Sequence, residues 1–184
     1  MRMTALGGIG GRALVIRRVG IDDHSSVRYL HSRAMMAQSL DALSDAEVAA
    51  FVGFVNSPAY SDHLIAEDVY GAFLDGQLVG TASWQANGDD GRTARISSVF
   101  VDPLFTKLGI GRQLLAEVEA RAMRSGFAQF GISVTINAVP FFEKLGYHEA
   151  SRGVKPMGHG CSLPVAFLRK AVPRSARPAK VPAV

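Results

Sequence analysis

The sequence predicts an α/β domain built on a mixed, mostly antiparallel twisted sheet of six to seven strands flanked by about four helices. Three observations predict it. The apolar spacing alternates along the chain between a period of two and a period near 3.6, the signatures of strands and of amphipathic helices. Asp75-Gly76 stands between two extended runs as a two-residue hairpin turn. From Thr93 to Val134 an extended run, a helical run and a second extended run follow one another. Two strands joined that way pair in parallel through a crossover.

The elements follow in order. Residues 1–12 are Gly-rich and weakly apolar and read as a flexible leader, whose Gly7-Gly8-Ile9-Gly10-Gly11 run precedes a strand rather than following one. Ala13 to Val19 is the first strand. Asp22 and Asp23 offer helix-capping carboxylates before a run with Val27, Leu30, Ala34 and Ala37 on one side. Ser44 and Glu47 have capping-box spacing, and Val48, Phe51, Val52 and Val55 then recur at helical intervals until Asn56-Ser57-Pro58 stops them. His63–Ala66 and Val69–Leu74 read as extended, with an irregularity at Glu67-Asp68, and Gln77–Trp84 returns antiparallel. A longer turn at Asn87–Gly91 leads to a strand from Thr93 to Val101, which Asp102-Pro103 ends because proline cannot continue a ladder. Gly111–Ser125 is an amphipathic helix with Leu114, Leu115, Val118 and Ala122 on one stripe, closed by Gly126. Gln129–Val134 is a strand and Ala138–Leu145 a short helix closed by Gly146. Tyr147–Val154 and Leu163–Ala171 are the last strands.

Composition narrows the function. A chain of 184 residues suits a single domain, here residues 13–172, followed by a disordered basic tail over 173–184. Apolar residues make up 48% and charged residues 20% of the chain, ordinary for a globular protein. No run approaches the roughly 20 apolar residues of a membrane span, and the start lacks the pattern of a secretory signal, so a cytoplasmic protein without a membrane partner is expected. Part of the net charge of +4 sits in the tail, which reads as a solvated terminus and not as a nucleic-acid arm. Cys161 is the only cysteine and the five histidines are scattered, so neither a disulfide nor a metal site is expected.

The chemistry concentrates in one turn. In Val99-Phe100-Val101-Asp102-Pro103-Leu104-Phe105-Thr106-Lys107-Leu108-Gly109-Ile110-Gly111-Arg112 a strand runs through a short loop into a helix with a glycine-rich first turn. Unpaired amides and about half a positive charge accumulate at such a helix start, and glycine lets an anion approach the backbone closely. Pyrophosphate binding follows from the same physics. Leu114 occupies the position of the third glycine of a dinucleotide fingerprint, which argues against a nicotinamide cofactor.

The stretch Val99–Leu115 resembles the acetyl-CoA-binding motif of the GCN5-related N-acetyltransferase (GNAT) superfamily: a strand ending Val-x-Pro, then Arg/Gln-x-x-Gly-x-Gly/Ala, then an amphipathic helix. About thirty residues later, Asn137-Ala138-Val139-Pro140-Phe141-Phe142-Glu143-Lys144-Leu145-Gly146-Tyr147 resembles that superfamily's second motif, with one residue fewer between the asparagine and the aromatic pair. The resemblance implies acetyl transfer from acetyl-CoA to a small-molecule or peptide amine, by direct attack in a ternary complex. It implies that the backbones of Phe100 and Val101 hold pantetheine, and that the amides of Leu108, Gly109, Ile110, Gly111 and Arg112 cradle the pyrophosphate. Asn137 would contact the pantetheine arm, Phe141 and Phe142 would line the cofactor side of the short helix, and Lys144 would approach the phosphates. Such small domains often pair through terminal strands, so a homodimer is compatible with it.

Two positions depart from the family pattern. Thr106 stands where the family has arginine or glutamine, although Lys107 and Arg112 keep positive charge close. Phe142 stands where the family often has a tyrosine that acts as general acid. A non-catalytic acyl-CoA-binding module of the same fold is therefore the alternative reading. A base is still required, because a free alkyl amine has a pKa near 10. Glu67 ranks first for accepting the amine proton, and Ser97 or Ser98, on alternate faces of their strand, would orient a water. Ser98 is the one grouped with Glu67. Tyr147, His159 and Cys161 are the remaining polar candidates.

Overall fold

The computed structural model describes residues 4–9, 11–38, 43–86, 92–158 and 161–172. The tail over 173–184, the turn at 87–91 and His159 lie outside the described residues, and of Cys161 the backbone alone is described.

Eight strands form one sheet in the order β1-β2-β3-β4-β5-β6-β8-β7. They are β1 (Thr4–Ile9), β2 (Arg12–Arg18), β3 (Asp68–Leu74), β4 (Gln77–Ala86), β5 (Thr93–Val101), β6 (Gln129–Thr135), β7 (His148–Gly158) and β8 (Cys161–Ala171). Every neighbouring pair is antiparallel except β5 and β6, which the sequence places as the parallel pair. Five helices accompany the sheet: α1 (His24–Met36), α2 (Asp45–Val55), α3 (Pro58–Ala66), α4 (Ile110–Arg124) and α5 (Val139–Glu143).

Three features differ from the sequence reading. The segment read as leader supplies an eighth strand, because Thr4, Ala5 and Leu6 pair in register with Ile16, Val15 and Leu14. The residues after Pro58 form a helix, not an extended run: Pro58 sits at the first helical position, where its missing N–H costs nothing, and Ser57 precedes it in extended conformation. The Asp23 carboxylate does not cap α1. It takes the guanidinium of Arg17 at 2.7 and 2.9 Å and the amide of Gly20 at 2.9 Å, so it pins the short 3-10 turn Ile21–Asp23 ahead of the helix.

Local signals elsewhere form as their chemistry requires. Asp75 and Gly76 both have positive φ (49° and 85°), the geometry of the two-residue hairpin between β3 and β4. Ser44 accepts from the Glu47 amide at 3.3 Å while the Glu47 carboxylate accepts from the Ser44 amide at 2.7 Å, closing the capping box of α2.

The sheet carries a core on each face. On one, the stripe of α4 (Ile110, Leu114, Leu115, Val118, Ala122) packs on Leu14, Ile16, Ala72, Ala94, Ile96 and Phe130. On the other, α1, α2 and α3 bury Val27, Leu30, Phe51, Val55, Tyr60 and Leu64 against Val69, Phe73, Leu163 and Val165. Gly80 lets α4 lie close on β4: a Cβ there would stand 2.9 Å from Leu114 and 3.0 Å from the carbonyl of Phe100. Arg28 ties α1 to the α2–α3 turn by donating to the carbonyls of Val55 and Ser57 and to the Ser61 hydroxyl (2.6 Å). No helix among the described residues is long and apolar enough to cross a membrane.

Candidate active site

β5 and β6 are paired only over Thr93–Arg95 and Gln129–Gly131, although both strands continue beyond. They therefore part, and the edge of β5 from Ser97 to Val101 borders an opening in the sheet. β5 also bulges here. Thr81 pairs with Phe100 and Ser83 with Ser97, so Ser98 and Val99 together oppose Ala82. Ser98 carries the strain of that insertion, with φ at 52°, outside the usual range for a residue with a Cβ.

A buried chain of hydrogen bonds holds the bulge. The Thr81 hydroxyl donates to the Ser98 carbonyl at 2.7 Å, which uses its single proton. His31 Nε2, 2.7 Å from Thr81 Oγ1, must then be the protonated nitrogen, and its Nδ1 accepts from the Tyr60 hydroxyl. Desolvation, with a smaller contribution from His63, lowers the pKa of fully buried His31 to about 3, so the ring is neutral at pH 7. Its face lies 4.3 Å from the ring of Phe100.

Next to the bulge stands Glu67, the extended residue that ends α3, with its side chain 1% exposed. Ser97 Oγ lies 2.8 and 2.9 Å from its two oxygens, Ser83 donates to Oε2, and Ser98 Oγ is at 3.5 Å. Arg95 and His63 approach Oε1 at 3.4 and 3.6 Å. Strict alternation separates Ser97 from Ser98, but the bulge turns both hydroxyls toward Glu67, and Ser97 makes the closer bonds. Desolvation lowers the pKa of His63 despite the nearby carboxylate, and also lowers that of Lys155, where Arg95 adds to the effect.

Two pockets meet at this point. The larger, of about 1140 Å³, is lined by residues of α2, α3, β5, β6, β7 and β8, including Glu67, Arg95 and Lys155. The smaller, of about 160 Å³, runs along Ser97–Phe100 and is lined also by Tyr60, Val134, Ala138 and Phe142. His63, Ser97, Ser133 and Lys155 border both.

Beyond the smaller pocket lies the glycine-rich turn. Lys107 and Gly109 have positive φ (63° and 80°), which turns the chain from the loop into α4. The first bond of the helix runs from the Gln113 amide to the Gly109 carbonyl at 3.1 Å, so the amides of Ile110, Gly111 and Arg112 precede the intrahelical ladder. A Cβ on Gly111 would meet Phe141 at 3.3 Å and Val101 at 3.4 Å. Val101, Gly111 and Phe141 thus converge, and a side chain at position 111 would crowd the Phe141 ring. Leu108 and Phe141 are exposed beside it at 44% and 39%. Asn137 and Lys144 are exposed at the two ends of the α5 segment, and Arg112 is exposed in the first turn of α4.

Phe142 is mostly core. It is 3% exposed, lies edge-on to Phe141 and Tyr147, and borders the smaller pocket. Tyr147 does not reach the cleft with its hydroxyl, which donates to Glu119 at 2.8 Å, and burial near that carboxylate pushes its pKa up. Lys170 completes this cluster at 2.7 Å from Glu119. The His31–Thr81–Ser98 chain and the contribution of Ser83 carry no sequence signal, since their partners are brought together by strand register alone. Among the described residues no group of His, Cys, Asp and Glu could hold a metal ion.

An eight-stranded mixed sheet opened between its parallel pair, with a glycine-led helix start at the mouth of the opening, defines an α/β domain whose ligand site lies at the split in the sheet. The comparisons narrow that class. A family profile described as an acetyltransferase (GNAT) domain matches residues 39–161, more than half of the chain, and the protein belongs to that family. A search of curated proteins finds no match. Solved structures share the fold at low identity. A GCN5-related N-acetyltransferase from Rhodopseudomonas palustris superposes with a TM-score of 0.78 at 20% identity, covering 94% of this chain and 99% of that one. PaiA N-acetyltransferase from Thermoplasma acidophilum, in complex with coenzyme A, has a TM-score of 0.71 at 16% identity, covering 86% and 98%. YncA from Salmonella typhimurium, solved with acetyl-CoA, has a TM-score of 0.60 at 18% identity, covering 98% and 100%.

Proposed function

We propose that the protein is an N-acetyltransferase that moves the acetyl group of acetyl-CoA to an amine by direct attack in a ternary complex. One observation supports the reading: the glycine-led helix start beside Val101, a narrow pocket over Ser97–Phe100, the buried carboxylate of Glu67 and a wide second pocket follow one another along a single strand, β5.

The residues fit an acyl-coenzyme A. The amides of Leu108–Arg112 receive the pyrophosphate at the start of α4. The unpaired edge of β5 at Phe100 and Val101 offers backbone groups to pantetheine, between Phe141, Phe142 and Asn137, with Lys144 near the phosphates. When bound, acetyl-CoA supplies the acetyl group as a thioester. The protein supplies the rest. Its bulged strand sets the position of the reacting carbonyl, and Glu67 accepts the proton that the amine loses, directly or through a water held by Ser97 and Ser98. The new C–N bond forms as the C–S bond breaks, and the electron pair leaves on sulfur. A thiol of this kind has a pKa near 8.5, so its thiolate departs without a strong acid.

Acetyl-CoA turnover across an amine panel, followed by release of the free thiol, tests the reading. Amine-dependent thiol release is expected, and silence across the panel with coenzyme A bound overturns it. One observation favours a second reading, a non-catalytic acyl-CoA-binding module: Phe142 has no proton to donate. Phe142→Tyr separates the two. A gain in turnover of about tenfold or more marks an enzyme working without that acid. Saturable coenzyme A binding with no turnover in either form supports the module.

A further inference from the structure

The larger pocket has a net positive lining. Its charged lining is Arg95, Lys155 and Arg169, with His63 held toward neutrality, against the single carboxylate of Glu67. Arg95 is engaged by Glu67 at 3.4 Å. Arg169 and Lys155 have no salt bridge or hydrogen bond from their side chains among the described residues, and Arg169 is exposed. Burial lowers the Lys155 pKa, with a smaller contribution from Arg95 that Glu67 opposes.

Their arrangement is regular. Arg95 is in register with Gly131 on β6, and Gly131 with Arg169 on β8. With neighbouring strands about 4.8 Å apart, the two arginines flank a glycine floor roughly 10 Å wide. A Cβ on Gly131 would meet only Thr93, at 3.7 Å, so the floor is open. Phe54 and Phe167, the latter 40% exposed, add an apolar wall.

The pyrophosphate of the cofactor does not account for these charges. The α4 cradle lies beside Val101, six positions along β5 from Arg95, which is on the order of 20 Å of strand. Glu67 and Ser97 stand between the two ends. Arg95 is two positions past Ser97, roughly 7 Å away along the strand. A purely cationic amine would meet repulsion here, whereas an amine that also carries an anion would meet a fork.

Resting on the acetyltransferase reading, we propose that the acceptor is a small amine bearing an oxyanion, a carboxylate or a phosphonate. Its anion is bound over Gly131 between Arg95 and Arg169 with help from Lys155, and its amine is presented to Glu67. Arg169 and Lys155 are the specificity determinants.

The test compares amino carboxylates and aminoalkyl phosphonates with their matched carboxamides and uncharged amines in the acetyl-CoA assay, for the intact protein and for Arg169→Gln, Arg169→Lys and Lys155→Met. The expected result is a kcat/KM about 10- to 100-fold higher for the anionic acceptors, the range of a charged hydrogen-bonded contact. Arg169→Gln is expected to remove most of that preference through KM with kcat little altered, and Arg169→Lys to restore part of it. Which oxyanion is preferred identifies the source of the chemistry. Equal kcat/KM for charged and uncharged acceptors, or a preference unchanged in both Arg169→Gln and Lys155→Met, overturns the inference while the acetyltransferase reading stands. Coenzyme A binding without acetylation of any amine overturns both.

Discussion

Glu67 shows how much chemistry one side chain can gather. A carboxylate this deeply buried is expensive unless its oxygens are satisfied, and here Ser83, Ser97, Arg95 and His63 all converge on it. The sequence singles out Glu67, but as a strand irregularity; the structure places it at the end of α3, a helix whose start lies in Ser57-Pro58. Alternation along β5 cannot decide between Ser97 and Ser98, because the bulge breaks it. Glu67→Gln keeps the volume and removes the basic oxygen. It is expected to lower kcat by about 10²- to 10⁴-fold, the usual range for a lost general base, with coenzyme A affinity unchanged. Steady-state kinetics and calorimetry on the same preparation check this, and a kcat within a factor of two or so of the parent removes Glu67 from the mechanism.

At the scale of the element, the opening beside β5 and the start of α4 work as one unit. β5 loses its parallel partner after Arg95, bulges at Ser98, and hands the chain through a short 3-10 turn at Pro103–Phe105 to a left-handed glycine at the helix start. Asp102 stabilises that hand-over. Its carboxylate accepts from the Leu104 amide at 3.0 Å and pairs with Arg33 at 3.3 Å. Because a Cβ at Gly111 would already meet Phe141 and Val101 at contact distance, Gly111→Trp forces a bulky side chain out over the helix start where the diphosphate is proposed to sit. The variant is expected to weaken coenzyme A binding by at least about tenfold, equivalent to 1.4 kcal/mol. Isothermal titration reads the change, and an unaltered affinity places the phosphates elsewhere.

Across the whole molecule, the buried chain from Tyr60 through His31 and Thr81 to Ser98 links α3, α1, β4 and β5. His31 is neutral in the folded protein, with its pKa lowered to about 3, whereas an unfolded histidine takes up a proton near 6.5. The unfolded state therefore binds more protons between these values. Stability from this site is fully present above about pH 6.5 and is lost progressively as the pH falls toward about 3, at up to about 1.4 kcal/mol per pH unit. Denaturant unfolding of the protein and of His31→Gln across that window tests it. The variant is expected to start less stable at pH 7 and to show a shallower decline with acid; parallel declines would show that His31 does not set the slope.

Periodicity, capping and turn chemistry act over a few residues, which is why the hairpin at Asp75-Gly76, the capping box of α2, the amphipathic stripe of α4 and the glycine-led turn were all legible as linear patterns. The candidate cofactor turn is a linear pattern for the same reason, since the amides proposed as its donors are consecutive. The way the groups around Glu67 come together could not be read in that way. Glu67 meets Ser97 across thirty residues of chain and His31 meets Thr81 across fifty, while Arg95 and Arg169 are aligned only because Gly131 pairs with both. Strand register, the bulge at Ser98 and the divergence of β5 from β6 bring those groups together. They depend on how separate segments pack, which no local pattern of residue types encodes.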